Sequence, residues 1–172
     1  MSLRDGCVLT FGDDIVPGNF DSGAVNEIRG VMLQYPEKWL YEGTMVRGPH
    51  AWQFTADGKL TWRDGRVFEF GEQTEPGKFE AREEFDGIMR GNGLEYEGKM
   101  KFVGNGWKCC AHGELRMIAN GVVYKFGPNT QPGKFEKGEE FSGVITYPKK
   151  HEFKYEKYEG VMKHQNANGR LG

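Results

Sequence analysis

One long unit is written three times along this chain, and any fold it adopts must repeat with it. Gly6-Cys7-Val8-Leu9-Thr10-Phe11-Gly12 recurs as Gly65-Arg66-Val67-Phe68-Glu69-Phe70-Gly71 and again as Gly121-Val122-Val123-Tyr124-Lys125-Phe126-Gly127. A Pro-Gly-x-Phe follows each copy at the same distance, at 17–20, 76–79 and 132–135. Then come Ile28-Arg29-Gly30 (after a short insertion), Phe85-Asp86-Gly87 and Phe141-Ser142-Gly143, and later Tyr-Glu-Gly-x-Met starting at Tyr41, Tyr96 and Tyr158. The spacing is 59 residues from Gly6 to Gly65 and 56 from Gly65 to Gly121. The copies run from about 6–64, 65–120 and 121–172, the last cut short, and together form a single repeat domain over 1–172.

Within the unit the pattern is that of strands and tight turns. Large residues alternate at Leu9 and Phe11, Phe68 and Phe70, and Tyr124 and Phe126. A period of two places each pair on one face of a sheet. Tyr41, Gly43 and Met45 share a face by the same rule, as do Tyr96, Gly98 and Met100, and Tyr158, Gly160 and Met162. These residues make up the core of the repeat, and the central glycine leaves space for a ring to cross the backbone. Asp5-Gly6, Asp64-Gly65 and Asn120-Gly121 predict two-residue hairpin turns, because both residue types tolerate positive φ. The reading is all-β.

Composition supports this. Glycine reaches 26 residues and aromatics 13%, which suits thin sheets and argues against disorder. A formal net charge of −2 argues against a general nucleic-acid binder. The longest apolar stretches, such as Gly30-Val31-Met32-Leu33, are far too short for a signal peptide or a membrane span. Three cysteines, Cys7, Cys109 and Cys110, offer no disulfide framework, so a reduced, cytoplasmic setting is expected.

Tyr96-Glu97-Gly98-Lys99-Met100 leads through His112-Gly113-Glu114-Leu115 to Asn120-Gly121-Val122-Val123-Tyr124, and Tyr41-Glu42-Gly43-Thr44-Met45 leads through Leu60-Thr61-Trp62 to Asp64-Gly65 and Phe68. Gly143-Val144-Ile145-Thr146-Tyr147-Pro148 leads on to Tyr158-Glu159-Gly160, and Gly169 falls at a further glycine place. These stretches resemble the MORN repeat (membrane occupation and recognition nexus). The likeness covers roughly 28–172 and is strongest at 41–68 and 96–127. It departs from the family in its looser spacing, its Pro-Gly-x-Phe inserts, and Pro49-His50-Ala51 where a glycine should follow histidine. The resemblance implies an elongated single-sheet ribbon of antiparallel hairpins. It further implies scaffolding in cytoskeletal and ciliary assemblies, at membrane junctions, or as regulatory segments of enzymes.

Candidates for chemistry are weak beside this. Cys109-Cys110-x-His112 begins like a metal set, but neighbours on a strand face opposite ways and no second cysteine pair follows, so one buried and one half-exposed cysteine is the reading. His50 and His112 fall at turns, and Glu83-Glu84 and Glu139-Glu140 read as solvated charge. Gly91-Asn92-Gly93 and Gly104-Asn105-Gly106 lack the lysine and helix of a phosphate loop and read as turns. No catalytic residue, metal or cofactor is expected.

The functional expectation is a non-enzymatic scaffold for protein partners. Trp39, Trp52, Phe54 and Trp107 are candidate contacts, each of which could equally be core. Lys149 and Lys150 offer a basic patch for a lipid headgroup or an acidic partner, offset by Glu152 and Glu156. A membrane-surface adaptor and a carbohydrate-active module are the rival readings. The shortened third copy predicts an unpaired C-terminal sheet edge that docks a partner chain or another copy.

Overall fold

The three sequence copies become three consecutive stretches of one antiparallel sheet. The structure is a computed structural model that describes residues 7–11, 27–34, 39–49, 52–103, 106–148 and 156–164. The first unit supplies β1 (Cys7–Phe11), β2 (Glu27–Gln34), β3 (Trp39–Arg47), β4 (Trp52–Phe54) and β5 (Lys59–Thr61). The second supplies β6 (Val67–Phe70), β7 (Phe85–Gly91), β8 (Leu94–Val103), β9 (Gly106–Cys109) and β10 (Glu114–Met117). The third supplies β11 (Val123–Phe126), a one-turn helix α1 (Lys134–Lys137), β12 (Glu140–Thr146) and β13 (Lys157–Lys163). Among the described residues the sheet has 13 strands and runs β1-β2-β3-β5-β6-β7-β8-β10-β11-β12-β13, with β4 added beside β3 and β9 beside β8.

The register explains why the copies look alike. Met32, Tyr41, Leu60, Phe68, Met89, Tyr96, Leu115, Tyr124, Ile145 and Tyr158 are successive cross-strand partners, one row through the whole sheet. Cross-strand neighbours of this size are the unit of sheet stabilisation, so the repeat preserves them. One residue along each strand lies a charged row on the opposite face, in which Glu42, Lys59 and Glu69 are partners, as are Glu97, Glu114 and Lys125.

Two glycines in each of the first two units let a tyrosine lie flat on the sheet. A Cβ on Gly58 would sit 1.9 Å from the Tyr41 hydroxyl, and one on Gly113 would sit 1.9 Å from the Tyr96 hydroxyl. The ring therefore crosses the glycine of the next strand, while Gly43 and Gly98 of its own strand allow the close approach of Gly58 and Gly113. The Tyr41 hydroxyl donates to the Thr44 carbonyl at 2.8 Å and accepts from Thr55 N at 3.2 Å. The Tyr96 hydroxyl donates to the Lys99 carbonyl at 2.6 Å and accepts from Cys110 N at 3.2 Å. Both tyrosines have raised pKa values, burial being the main cause.

The turns differ from the sequence reading. Around Asp64-Gly65 the last pair is Trp62 with Arg66, where Trp62 N donates to the Arg66 carbonyl at 2.8 Å, leaving a three-residue loop with Gly65 at φ 84. At Asn120-Gly121 the loop has four residues, closed by Met117 N donating to the Val122 carbonyl at 2.8 Å. The Asp-Gly and Asn-Gly pairs thus close longer loops, and only their glycines take the last, left-handed position. Asp5-Gly6 lies outside the described residues. A two-residue turn does occur at Asn92-Gly93, with φ 51 and 74, between β7 and β8.

Candidate interaction surfaces

The aromatic face of the sheet is covered by the chain itself. The second and third Pro-Gly-x-Phe inserts fold over it, anchored by Gly71 N and the Thr74 hydroxyl on the Asp86 carbonyl (both 2.7 Å), and by Gly127 N (2.8 Å) and the Thr130 hydroxyl (3.0 Å) on that of Ser142, while the first, at 17–20, lies outside the described residues. Phe79 then meets Phe54, Phe70 and Trp107 at 5.4, 6.0 and 5.1 Å between ring centroids. Phe135 meets Phe126, Phe141 and His164 at 5.5, 5.7 and 4.2 Å. The residue after each phenylalanine caps a side strand: Phe54 N donates to Glu80 Oε1 at 2.8 Å, and Cys109 N donates to Glu136 Oε1 at 2.6 Å. Glu80 as a residue is exposed, yet its carboxyl is partly buried where it meets the Phe54 amide, and burial raises its pKa against the opposing pull of that hydrogen bond.

The other face is laced with exposed ion pairs. Lys59 meets Glu42 at 3.4 Å, Arg90 meets Glu69 and Glu95 at 2.9 Å each, Lys99 meets Asp86 at 3.4 Å and Lys125 meets Glu114 at 3.1 Å. Such pairs contribute about 0–1 kcal/mol apiece, so they keep this face soluble more than they hold it together.

The sequence candidates separate cleanly. Phe54 and Trp107, each 4% exposed, belong to the core, as do Tyr41, Met45, Phe68, Phe70, Tyr96, Met100 and Phe126. Trp39 and Trp52 are half-buried against that core, and the Arg47 guanidinium lies 5.6 Å over the Trp52 ring. Tyr124 and Met162 also pack against it half-buried. Lys149, Lys150 and His50 lie outside the described residues.

Cys109 and Cys110 are both buried, which corrects the expected alternation. β9 ends at Cys109, and Cys110 turns inward because its amide is bound to both the Lys99 carbonyl (3.0 Å) and the Tyr96 hydroxyl (3.2 Å). Burial pushes the Cys109 thiol well above the usual thiol range and that of Cys110 up to about 12, with Glu136 adding to the shift in both. His112 takes a left-handed turn position, φ 61, and is exposed. The Glu83-Glu84 and Glu139-Glu140 pairs are exposed too. Among the described residues no three His, Cys, Asp or Glu side chains converge as a metal set.

What remains are the two end strands of the sheet, β1 and β13, and of these β13 has the described side chains at its edge. Among the described residues β13 pairs with β12 and with nothing on its other side. Tyr158 stands in the place of Tyr41 and Tyr96 and keeps their local hydrogen bond, its hydroxyl donating to the Val161 carbonyl at 3.2 Å. Yet it is 49% exposed where they are 0%, and Val161 is 61% exposed. Gly160 pairs with Gly143 at the centre of the strand. The last residues of the expected C-terminal edge, 165–172, lie outside the described residues, and the glutamate caps are absent from the sequence expectations although a glutamate directly follows phenylalanine in the second and third copies.

No protein-family model, curated protein or solved structure matches this chain. No described helix is long and apolar enough to cross a membrane.

Proposed function

We propose that this chain is a non-enzymatic, MORN-like scaffold of the cytoplasm that engages a protein partner by strand addition along the outer edge of β13. Its place is in a larger assembly of the cytoskeletal or ciliary kind. The exposure of Tyr158 and Val161 on a strand whose outer edge is unpaired among the described residues is the observation that carries this reading. An open edge presents a row of backbone donors and acceptors, and strand addition satisfies them while side-chain pockets set specificity. The two faces are the poorer surfaces, one filled by Phe79 and Phe135 and the other by solvated ion pairs.

The test is affinity capture with the wild-type chain and with a Tyr158→Lys/Val161→Lys variant, followed by amide exchange on the purified complex. A stoichiometric protein partner that is lost with the variant, and that protects 157–163 in the complex, is the expected result. A partner retained equally by the variant contradicts edge docking. Capture of the chain's own second copy through the same strand makes the assembly a homomeric one. Co-sedimentation with liposomes in place of a protein would transfer the reading to the membrane adaptor.

A further inference from the structure

The open edge of β13 has its complement written inside the same chain. In the first two units the Tyr-Glu-Gly-x-Met strand is covered by a Gly-x-Leu strand. Tyr41 lies opposite Leu60 and Glu42 opposite Lys59 in one, and Tyr96 opposite Leu115 in the other. The two glycines meet closely: a Cβ on Gly43 would sit 2.6 Å from Gly58 Cα, and one on Gly98 2.6 Å from Gly113 Cα. Gly160 has no such neighbour among the described residues, since the three atoms nearest its Cβ position all belong to the Tyr158 side chain. The outer side of β13 is thus an unfilled place for a Gly-x-Leu strand.

That sequence occurs once more, as Gly169-Arg170-Leu171, beyond the described residues. Set along β13 in the register of the first two units, Leu171 faces Tyr158, Arg170 faces Glu159 and Gly169 faces Gly160. The charge match repeats that of Lys59 with Glu42, which lie 3.4 Å apart. Alternation agrees as well, because Ala167, Gly169 and Leu171 fall on the aromatic face and Asn166, Asn168 and Arg170 on the charged one. Within one chain this register leaves only His164-Gln165 to turn between the strands. Both favoured two-residue hairpin turns, types I′ and II′, need a positive φ at the first loop residue. Outside glycine, positive φ occurs among the described residues at Arg82, Asn92 and His112 and not at His164, whose ring is stacked on Phe135 with centroids 4.2 Å apart. A loop too short and of the wrong hand to close favours exchange of the strand with another copy.

We propose that two copies of this chain join through β13, each laying its segment 165–171 along the outer edge of the other's strand. The register is self-complementary about a two-fold axis beside His164 and Gln165, so both arms form together and the contact closes as a dimer. Tyr158 of each copy is covered by the partner's Leu171 and crosses the partner's Gly169, as Tyr41 crosses Gly58. The inference rests on the edge docking proposed above and names the partner as a second copy.

Sedimentation equilibrium of the full chain over a concentration series is the test, with charge reversal to fix the register. Wild type should dimerise as concentration rises and, when dilute, remain a monomer with an open β13 edge. Glu159→Arg and Arg170→Glu, each alone, set like charges opposite one another twice per dimer and should weaken it about ten-fold at low salt. Mixed in equal amounts the two variants should recover the wild-type affinity, because the mixed dimer pairs opposite charges at both places. Gly169→Val, which puts a side chain under the Tyr158 ring, should abolish dimerisation. A wild-type chain that stays monomeric up to its solubility limit overturns the proposal, as does a dimer indifferent to Gly169→Val or a mixture no tighter than the single variants. A monomer whose β13 amides all exchange slowly overturns the edge reading too. A monomer with fast β13 exchange, whose captured partner is still lost with Tyr158→Lys/Val161→Lys, overturns only the dimer.

Discussion

Tyr96 and Tyr158 hold the same place in successive units and meet opposite fates. Tyr96 lies beneath β10 and the Gly113 backbone and is 0% exposed, whereas Tyr158 has the same local hydrogen bond but no following strand among the described residues and is 49% exposed. The difference shows that the Tyr-Glu-Gly-x-Met motif sets the geometry of the ring, while the next strand decides whether the ring becomes core. A repeat sheet of this kind is stabilised between neighbouring strands, so a ring with a strand on one side only stays open to solvent.

Truncation separates the two most sharply. Tyr96→Ala is expected to lower unfolding free energy by about 3–5 kcal/mol, the range for losing a large buried ring, and Tyr158→Ala by less than about 1 kcal/mol. Urea unfolding of both variants measures the gap, and equal losses would mean that Tyr158 is covered. The glycine beneath the ring comes next. Gly113→Ala forces a Cβ to 1.9 Å from the Tyr96 hydroxyl and should destabilise by about 1–3 kcal/mol. Gly106→Ala, whose Cβ would meet only Lys108 Nζ at 4.0 Å, should stay within about 0.5 kcal/mol in the same assay.

Smaller effects sharpen the comparison between units. Glu136→Ala removes the cap on Cys109 N and should cost about 1–2 kcal/mol by chemical denaturation, against nearly nothing for exposed Glu139→Ala. Glu80 gives a pH signature. Its pKa is raised in the folded chain, mainly by burial, so the folded state holds its proton more tightly than the unfolded one. Its contribution to stability is then fully present below the ordinary glutamate pKa and is lost as pH rises through the folded value. Glu80→Gln keeps the acceptor for Phe54 N, so its stability relative to wild type should rise over that interval in thermal melts at stepped pH. A flat difference would place the carboxyl in water.

Much of the sheet was readable from the sequence because its determinants are local and periodic. Alternation at Phe68 and Phe70, or at Tyr96 and Met100, names the buried face, and the recurrence of the unit names the strands. The fate of the tryptophans was not readable. Trp107 and Trp52 occupy equivalent places, yet one is core and the other half-buried, because what covers each is a different stretch of chain. The glutamate caps were hidden for the same reason, since Glu80 and Phe54 are 26 residues apart and Glu136 and Cys109 are 27. Turn lengths depended on which pair closes the ladder, which Asp-Gly alone does not state. The lack of a stacked ring on Tyr96 among the described residues, where Phe54 stacks on Tyr41 at 4.0 Å, had a visible signal in the exchange of Trp39 and Phe54 for Leu94 and Cys109, legible once the register aligns the copies.

Amide hydrogen exchange across β13, with β8 as the internal reference, tests the open edge most directly. The expected result is fast exchange at alternate amides of 157–163 in the isolated chain, slow exchange through 94–103, and protection of 157–163 when a partner binds. Protection of every β13 amide in the isolated chain, equal to that of β8, would contradict it.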